Sequence, residues 1–145
     1  MTDLGYVHYY LGIEVTQHPK FIFLSQKKYI GDLLNKFGIN ECNPLSTPMK
    51  QNLKLTSIEG KEFEDAMKYR QLVGSLIYLT MTRPNISFDV SILCRFMQKP
   101  CEGHWSATKR VLKYLKGTQD FRLKYTQVGD FRLIRYSDSD FDGEK

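Results

Sequence analysis

Between Asp65 and Met81 the chain sets Met67, Leu72, Val73, Leu76, Ile77 and Leu79 at helical intervals spread around more than one face, with Gly74 and Ser75 small enough to let another helix approach. A helix of that kind is expected to be buried, so the rest of the chain must cover it. Three other stretches have the period to do so. Ser25 is a good N-cap for Tyr29, Leu33, Leu34 and Phe37, closed by Gly38. Ile86, Val90, Leu93 and Met97 predict a helix that stops at Lys99-Pro100. Glu102 to Lys116 carries Trp105, Thr108, Leu112 and Leu115 on one stripe, which puts Trp105 in the expected core, and Gly117 caps the end.

The helical part is flanked by β-rich segments. Val7 to Val15 reads as a strand with Gly12 inside it, as a bulge or a close approach of backbone; Thr16 to Lys20 is a turn, and Phe21 to Leu24 returns. Phe121 to Tyr125 and Phe131 to Tyr136, on either side of Gly129-Asp130, predict a second hairpin. Asn40 to Glu62, with Pro44, Pro48 and Gly60, is a long connection without a clear period. The order is a hairpin, three or four helices, then a hairpin, and the fold class is α+β. Unpaired edge strands at both ends suggest two sheets cut from a larger parent.

Charge and chemistry narrow the function classes. The 145 residues are one domain's worth of chain, and no stretch approaches the ~18 to 20 apolar residues of a membrane span. The start has no basic-then-apolar signal grammar, so the expectation is a cytoplasmic or nuclear protein. Cys42, Cys94 and Cys101 form no CxxC pair, and His8, His18 and His104 form no HExxH, which argues for reduced thiols and against structural zinc. Of the net charge of +5, residues 138–145 contribute −3 and residues 1–137 contribute +8. A basic body suits a polyanionic partner or a solvated surface, and composition leaves both open. Lys109, Lys113 and Lys116 share one helix face with Arg110 beside them, and could either track phosphates or face water.

Five blocks are more specific than any of this: Asp3-Leu4-Gly5 through Tyr10-Leu11-Gly12-Ile13-Glu14-Val15; Tyr69-Arg70-Gln71-Leu72-Val73-Gly74-Ser75-Leu76-Ile77-Tyr78-Leu79; Thr82-Arg83-Pro84-Asn85-Ile86; His104-Trp105-Ser106-Ala107-Thr108-Lys109-Arg110-Val111-Leu112-Lys113-Tyr114-Leu115-Lys116-Gly117-Thr118; and Tyr136-Ser137-Asp138-Ser139-Asp140. In this order they resemble the Pol polyprotein of Ty1/copia-type LTR retrotransposons over essentially the whole chain. The resemblance implies the end of the reverse-transcriptase palm over 1–24, a thumb and connection bundle over 25–118, and the truncated start of an RNase H-like sheet over 119–145.

What the resemblance withholds is as informative. The family's polymerase clamps two Mg ions with a Tyr-x-Asp-Asp turn, and this chain contains no Asp-Asp dipeptide. Asp138 matches the first RNase H carboxylate, a single vestigial metal ligand, and Phe141 and Asp142 depart from that family pattern. Asp140, Asp142 and Glu144 read as a solvated acidic end. The implied chain is therefore no enzyme by itself and holds no cofactor. Its implied contacts with an RNA–DNA hybrid or DNA primer-template run through Tyr10, Leu11, Gly12 and Ile13, which match the primer-holding hairpin, and through Lys109, Arg110, Lys113 and Lys116. A glycine there lets backbone approach a sugar-phosphate chain, and Tyr9 and Tyr10 can pack on sugar or base faces. The alternative is a domesticated helical module that binds a protein partner. A secreted effector is not expected, since the nearest match to Arg-x-Leu-Arg is Arg110-Val111-Leu112-Lys113 inside a helix.

Overall fold

The computed structural model describes residues 8–51, 55 and 60–126. Strand β1 (Tyr9–Tyr10) turns back at Leu11-Gly12 into β2 (Ile13–His18), which turns at Pro19-Lys20 into β3 (Phe21–Ser25). Four helices follow: α1 (Lys27–Lys36), α2 (Ala66–Leu79), α3 (Ser87–Cys94) and α4 (Glu102–Gly117), with a 3-10 turn at Pro84–Ile86 leading into α3. Strand β4 (Leu123–Thr126) closes the described chain. The protein is α+β, as its sequence predicts.

The helices meet in one apolar core. On α2 the residues Tyr69, Leu72, Val73, Leu76 and Leu79 are all 0% exposed. Their spacing is a single stripe, and Met67 and Ile77, which broaden the sequence pattern, lie at the surface. Ile30, Leu33 and Leu34 of α1, Val90 and Leu93 of α3, and Val111, Leu112 and Leu115 of α4 fill the space around that stripe. Each fully buried aliphatic side chain is worth about 1.5–3 kcal/mol over an exposed one. Trp105 departs from its expected place. It is half-buried at the rim of the core, stacked on Phe63 at 4.8 Å with Lys68 over its ring.

Local chemistry sets the helix ends. Gln26 is the first residue before α1, and Ser25 accepts from the Lys27 amide at 3.2 Å, one position away from a true N-cap. Gly38, at φ +68, ends α1 in the left-handed turn that a glycine there implies, with the Ile39 amide donating to the Leu34 carbonyl at 2.9 Å. Asp65 caps α2 by accepting from the Lys68 amide at 3.0 Å. Helix α3 stops at Cys94, short of the predicted Met97, and beyond it the Phe63 amide donates to the Pro100 carbonyl at 3.0 Å and the Glu102 amide to the Lys61 carbonyl at 2.9 Å.

The sheet differs from expectation in its pairing. Its order is β1-β2-β3-β4, antiparallel throughout, so Leu123–Thr126 lies beside β3, with Leu24 opposite Leu123 and Phe21 opposite Thr126. The N-terminal hairpin and the segment assigned to a second sheet thus share one sheet. Pairing with the edge of β3 satisfies backbone groups that a free edge would leave to water. The predicted partner strand at 131–136 lies outside the described residues.

Candidate nucleic-acid interface

The two-residue Leu11-Gly12 loop explains why Gly12 is there. Leu11 has φ +49 and Gly12 φ +84, the pair of positive values of a type I′ hairpin turn. So Gly12 is a turn residue rather than a bulge inside a long strand. Leu11 in this region is strained, and something must hold it. Tyr78 of α2 does so, donating its hydroxyl to the Leu11 carbonyl. A Cβ on Gly12 would lie 2.6 Å from that same hydroxyl. Tyr29 of α1 packs edge-on against Tyr78 at 4.9 Å, so two helices fix the position of one β-turn.

The pinned turn presents its side chains outward. Tyr9 is 55% exposed, Tyr10 62% and Leu11 71%, while Ile13 is buried. Of the four residues implied at the primer-holding hairpin, Tyr10 and Leu11 stand in solvent, Gly12 supplies the turn, and Ile13 anchors it. Tyr78 and Tyr29 escape sequence reasoning because the contact spans 67 residues.

The basic face of α4 has a different arrangement. Lys116 donates to the carbonyls of Asn40 and Cys42, the latter at 2.5 Å, and Arg110 donates to the Thr47 hydroxyl at 2.8 Å. The Leu45 amide donates to the Lys113 carbonyl at 3.2 Å, and Pro44 lies against Gly117. The first part of the long connection therefore lies along this face. Lys116 and Arg110 hold protein oxygens, and Lys109 and Lys113 are half-buried beside them.

Two of the resembling blocks meet at Arg83, which is 2% exposed. Its guanidinium donates to the Thr118 carbonyl at 3.0 Å, to the Thr118 hydroxyl at 2.6 Å and to Asn85 at 3.2 Å, with the rings of Tyr114 and Phe121 beneath it. Asn85 in turn donates to the Tyr114 hydroxyl at 2.7 Å. Burial lowers the Arg83 pKa from its ordinary value, and Tyr114 acts in the opposite sense. Among the described residues its partners are neutral oxygens, which suits a group that braces the turn into α3 against the end of α4.

The described residues do not fit a two-metal centre, since no three His, Cys, Asp or Glu side chains among them gather as ligands. Asp138, the single carboxylate implied for RNase H, lies outside the described residues. Among them no helix is long and apolar enough to cross a membrane.

The family model described as reverse transcriptase (RNA-dependent DNA polymerase) matches residues 1–51, which include the pinned turn. A retrovirus-related Pol polyprotein from transposon RE2 of Arabidopsis thaliana is 41% identical over 138 residues, 95% of this chain and 10% of that protein. The chain belongs to the copia-type Pol family. An uncharacterized mitochondrial protein of the same plant is 41% identical over 143 residues, 99% of this chain and 59% of that one. A protein of Plasmopara viticola named as a secreted RxLR effector is 43% identical over 77 residues, 52% of this chain and 54% of that one. The chain thus spans about three-fifths of the first of these shorter relatives and a tenth of the Pol polyprotein. No solved structure matches it.

Proposed function

We propose that this copia-type Pol segment grips nucleic acid without catalysing polymerisation by itself, with the Tyr9-Tyr10-Leu11-Gly12 tip as the contact to an RNA–DNA hybrid or primer-template. The observation that carries this reading is the pinned turn. Two exposed tyrosines and an exposed leucine are held at a strained tip by a hydroxyl from α2, so the tip meets a strand already ordered and loses little entropy on binding. In the family's terms residues 1–24 end the palm and 25–118 form thumb and connection, while the match to the start of RNase H falls in 119–145, whose strand β4 pairs with β3 of the first segment. Residues 110 and 116 of the basic stripe serve to dock the connection, which leaves Lys109 and Lys113 as its phosphate contacts.

Catalytic incompleteness rests on the missing Asp-Asp turn. A two-metal phosphoryl transfer needs paired carboxylates, and this chain has no such dipeptide. The test is hybrid binding by fluorescence anisotropy across a salt series with the full chain. The expected result is weak, salt-dependent binding that Tyr10→Ser weakens at constant salt slope, because the tip adds contact without charge. Binding unaffected by Tyr10→Ser contradicts the tip assignment. Primer extension by the purified chain contradicts catalytic incompleteness.

A further inference from the structure

One face of the sheet carries a second set of residues that neither the resemblance nor the tip accounts for. Strand pairing puts His18 and Thr126 beside Phe21, and Thr16 and Lys124 beside Phe23, all on the same side. His18 stacks on Phe21 at 4.3 Å, and the Phe21 and Phe23 rings meet edge to face at 5.0 Å. Lys124 lies over Phe21 at 5.0 Å, and Arg122 lies over Phe23 at 4.5 Å. The two phenylalanines are half-buried and stand outside the helical core, while His18, Arg122 and Lys124 are exposed. Among the described residues the two rings take no part in the helical core.

Among the described residues neither Arg122 nor Lys124 has a carboxylate partner. The acid closest in sequence, Asp120, is bound to Lys27 at 2.6 Å and feels Arg122 only through space. Glu14, at the far end of the same face opposite Ser25, is the acid this side of the sheet carries. A row of aromatic rings with cations that can swing from ring to phosphate is complementary to a flexible polyanion that has flat faces of its own.

We propose that this face, with Phe21, Phe23 and His18 as stacking surfaces and Arg122 and Lys124 as phosphate contacts, binds single-stranded nucleic acid. Sequence tolerance is expected, because every base has a face to stack and the cations read only phosphate. Tyr9, opposite Glu14, lies at the tip end of this same face, whereas Tyr10 pairs with Ile13 on the other side, so the site is told apart from the tip through Tyr10, Arg122 and Lys124 and shares with the tip reading the class of partner.

The test uses the full chain and two labelled 12-mers of equal charge, oligo-dT and an abasic strand, compared by fluorescence anisotropy. The expected result is about tenfold tighter binding of oligo-dT. Replacing Arg122→Gln and Lys124→Gln together, both exposed positions, is expected to lower the salt slope by about 1.4, at roughly 0.7 for each phosphate no longer neutralised, while Lys50→Gln leaves affinity and slope unchanged. Equal affinity for the two strands removes the stacking role. An unchanged slope in the double variant removes the cations, and equally tight binding of poly-glutamate assigns the face to acidic polypeptide; each result overturns the proposal. A chain that binds hybrid through Tyr10 yet ignores oligo-dT also overturns it and leaves the tip reading intact. Oligo-dT binding that survives Tyr10→Ser and disappears in the double variant supports it, whatever the hybrid does.

Discussion

The helical bundle and the sheet of this protein are stabilised in different ways. In the bundle, side chains of α2, α3 and α4 reach complete burial and define one another's positions. In the sheet, Ile13 and Ser25 are buried, but Ile22 is 39% exposed and Tyr125 56%. Among the described residues, long-range hydrogen bonds from Tyr78 to Leu11, from Thr82 to Gln26 at 2.8 Å, and from Lys27 to Asp120 at 2.6 Å tie the sheet end to the rest. The difference separates two tasks. Packing makes the bundle a rigid support, and a few polar ties hold a largely solvent-facing sheet against it, with Tyr9, Tyr10 and Leu11 of its tip exposed among the described residues.

The largest effect expected from this contrast is on core truncation. Leu72→Ala should cost about 2–5 kcal/mol in urea unfolding, from the forfeited transfer energy and the cavity left behind. Ile22→Ala on the half-exposed sheet should cost no more than about 1 kcal/mol. Similar costs at the two sites contradict the division. Arg83→Ala should come next, at about 1–3 kcal/mol, because the Thr118 carbonyl loses its buried donor; Arg83→Lys should restore only part, since an ammonium cannot span the carbonyl and hydroxyl together.

Smaller effects probe the ties. Gly12→Ala should destabilise by about 1–2 kcal/mol through its left-handed backbone and its closeness to Tyr78. Adding Tyr78→Phe removes the hydroxyl but leaves the backbone cost, so the double variant should lose less than the sum of the single ones. Strict additivity would mean that Tyr78 does not hold the turn. The smallest effect concerns pH. The Lys27 ammonium, bonded to Asp120, lowers its carboxyl pKa below the ordinary 3.8. A depressed carboxylate gives a stabilisation that is complete above the unfolded value and lost as pH falls through the folded one. Asp120→Asn should therefore flatten the stability curve slightly below about pH 4, and the size is small because the pair is exposed.

Which parts are legible in the sequence follows from the same contrast. The helices announce themselves because burial repeats with the helical period, as at Tyr69, Leu72, Val73, Leu76 and Leu79. The sheet does not. Pairing Leu24 with Leu123 joins segments about a hundred residues apart, and alternation within a strand does not name its neighbour. The turn at the tip is hidden from residue patterning because leucine is uncommon at positive φ, so Val7 to Val15 reads as a strand with Gly12 inside it, and the resemblance alone marks Tyr10 to Ile13 as a hairpin. Lys116 reads as free for phosphate because its partners are backbone carbonyls, which carry no side-chain signature. The residues that resemble the copia-type family nonetheless lie where their contacts matter: Tyr78 on the turn at Gly12, and Arg83 against Thr118.

Native-state hydrogen exchange of the full chain, with and without an RNA–DNA hybrid, tests the account most directly. In the free protein the amides of α2 and α4 should exchange through global unfolding, and those of β1 and β4 through smaller openings. Added hybrid should slow exchange at residues 9–13 beyond the uniform gain that ligand binding gives the whole protein. Exchange that is equally slow in bundle and sheet, or hybrid protection centred on α2 and α3 with none at the tip, would contradict it.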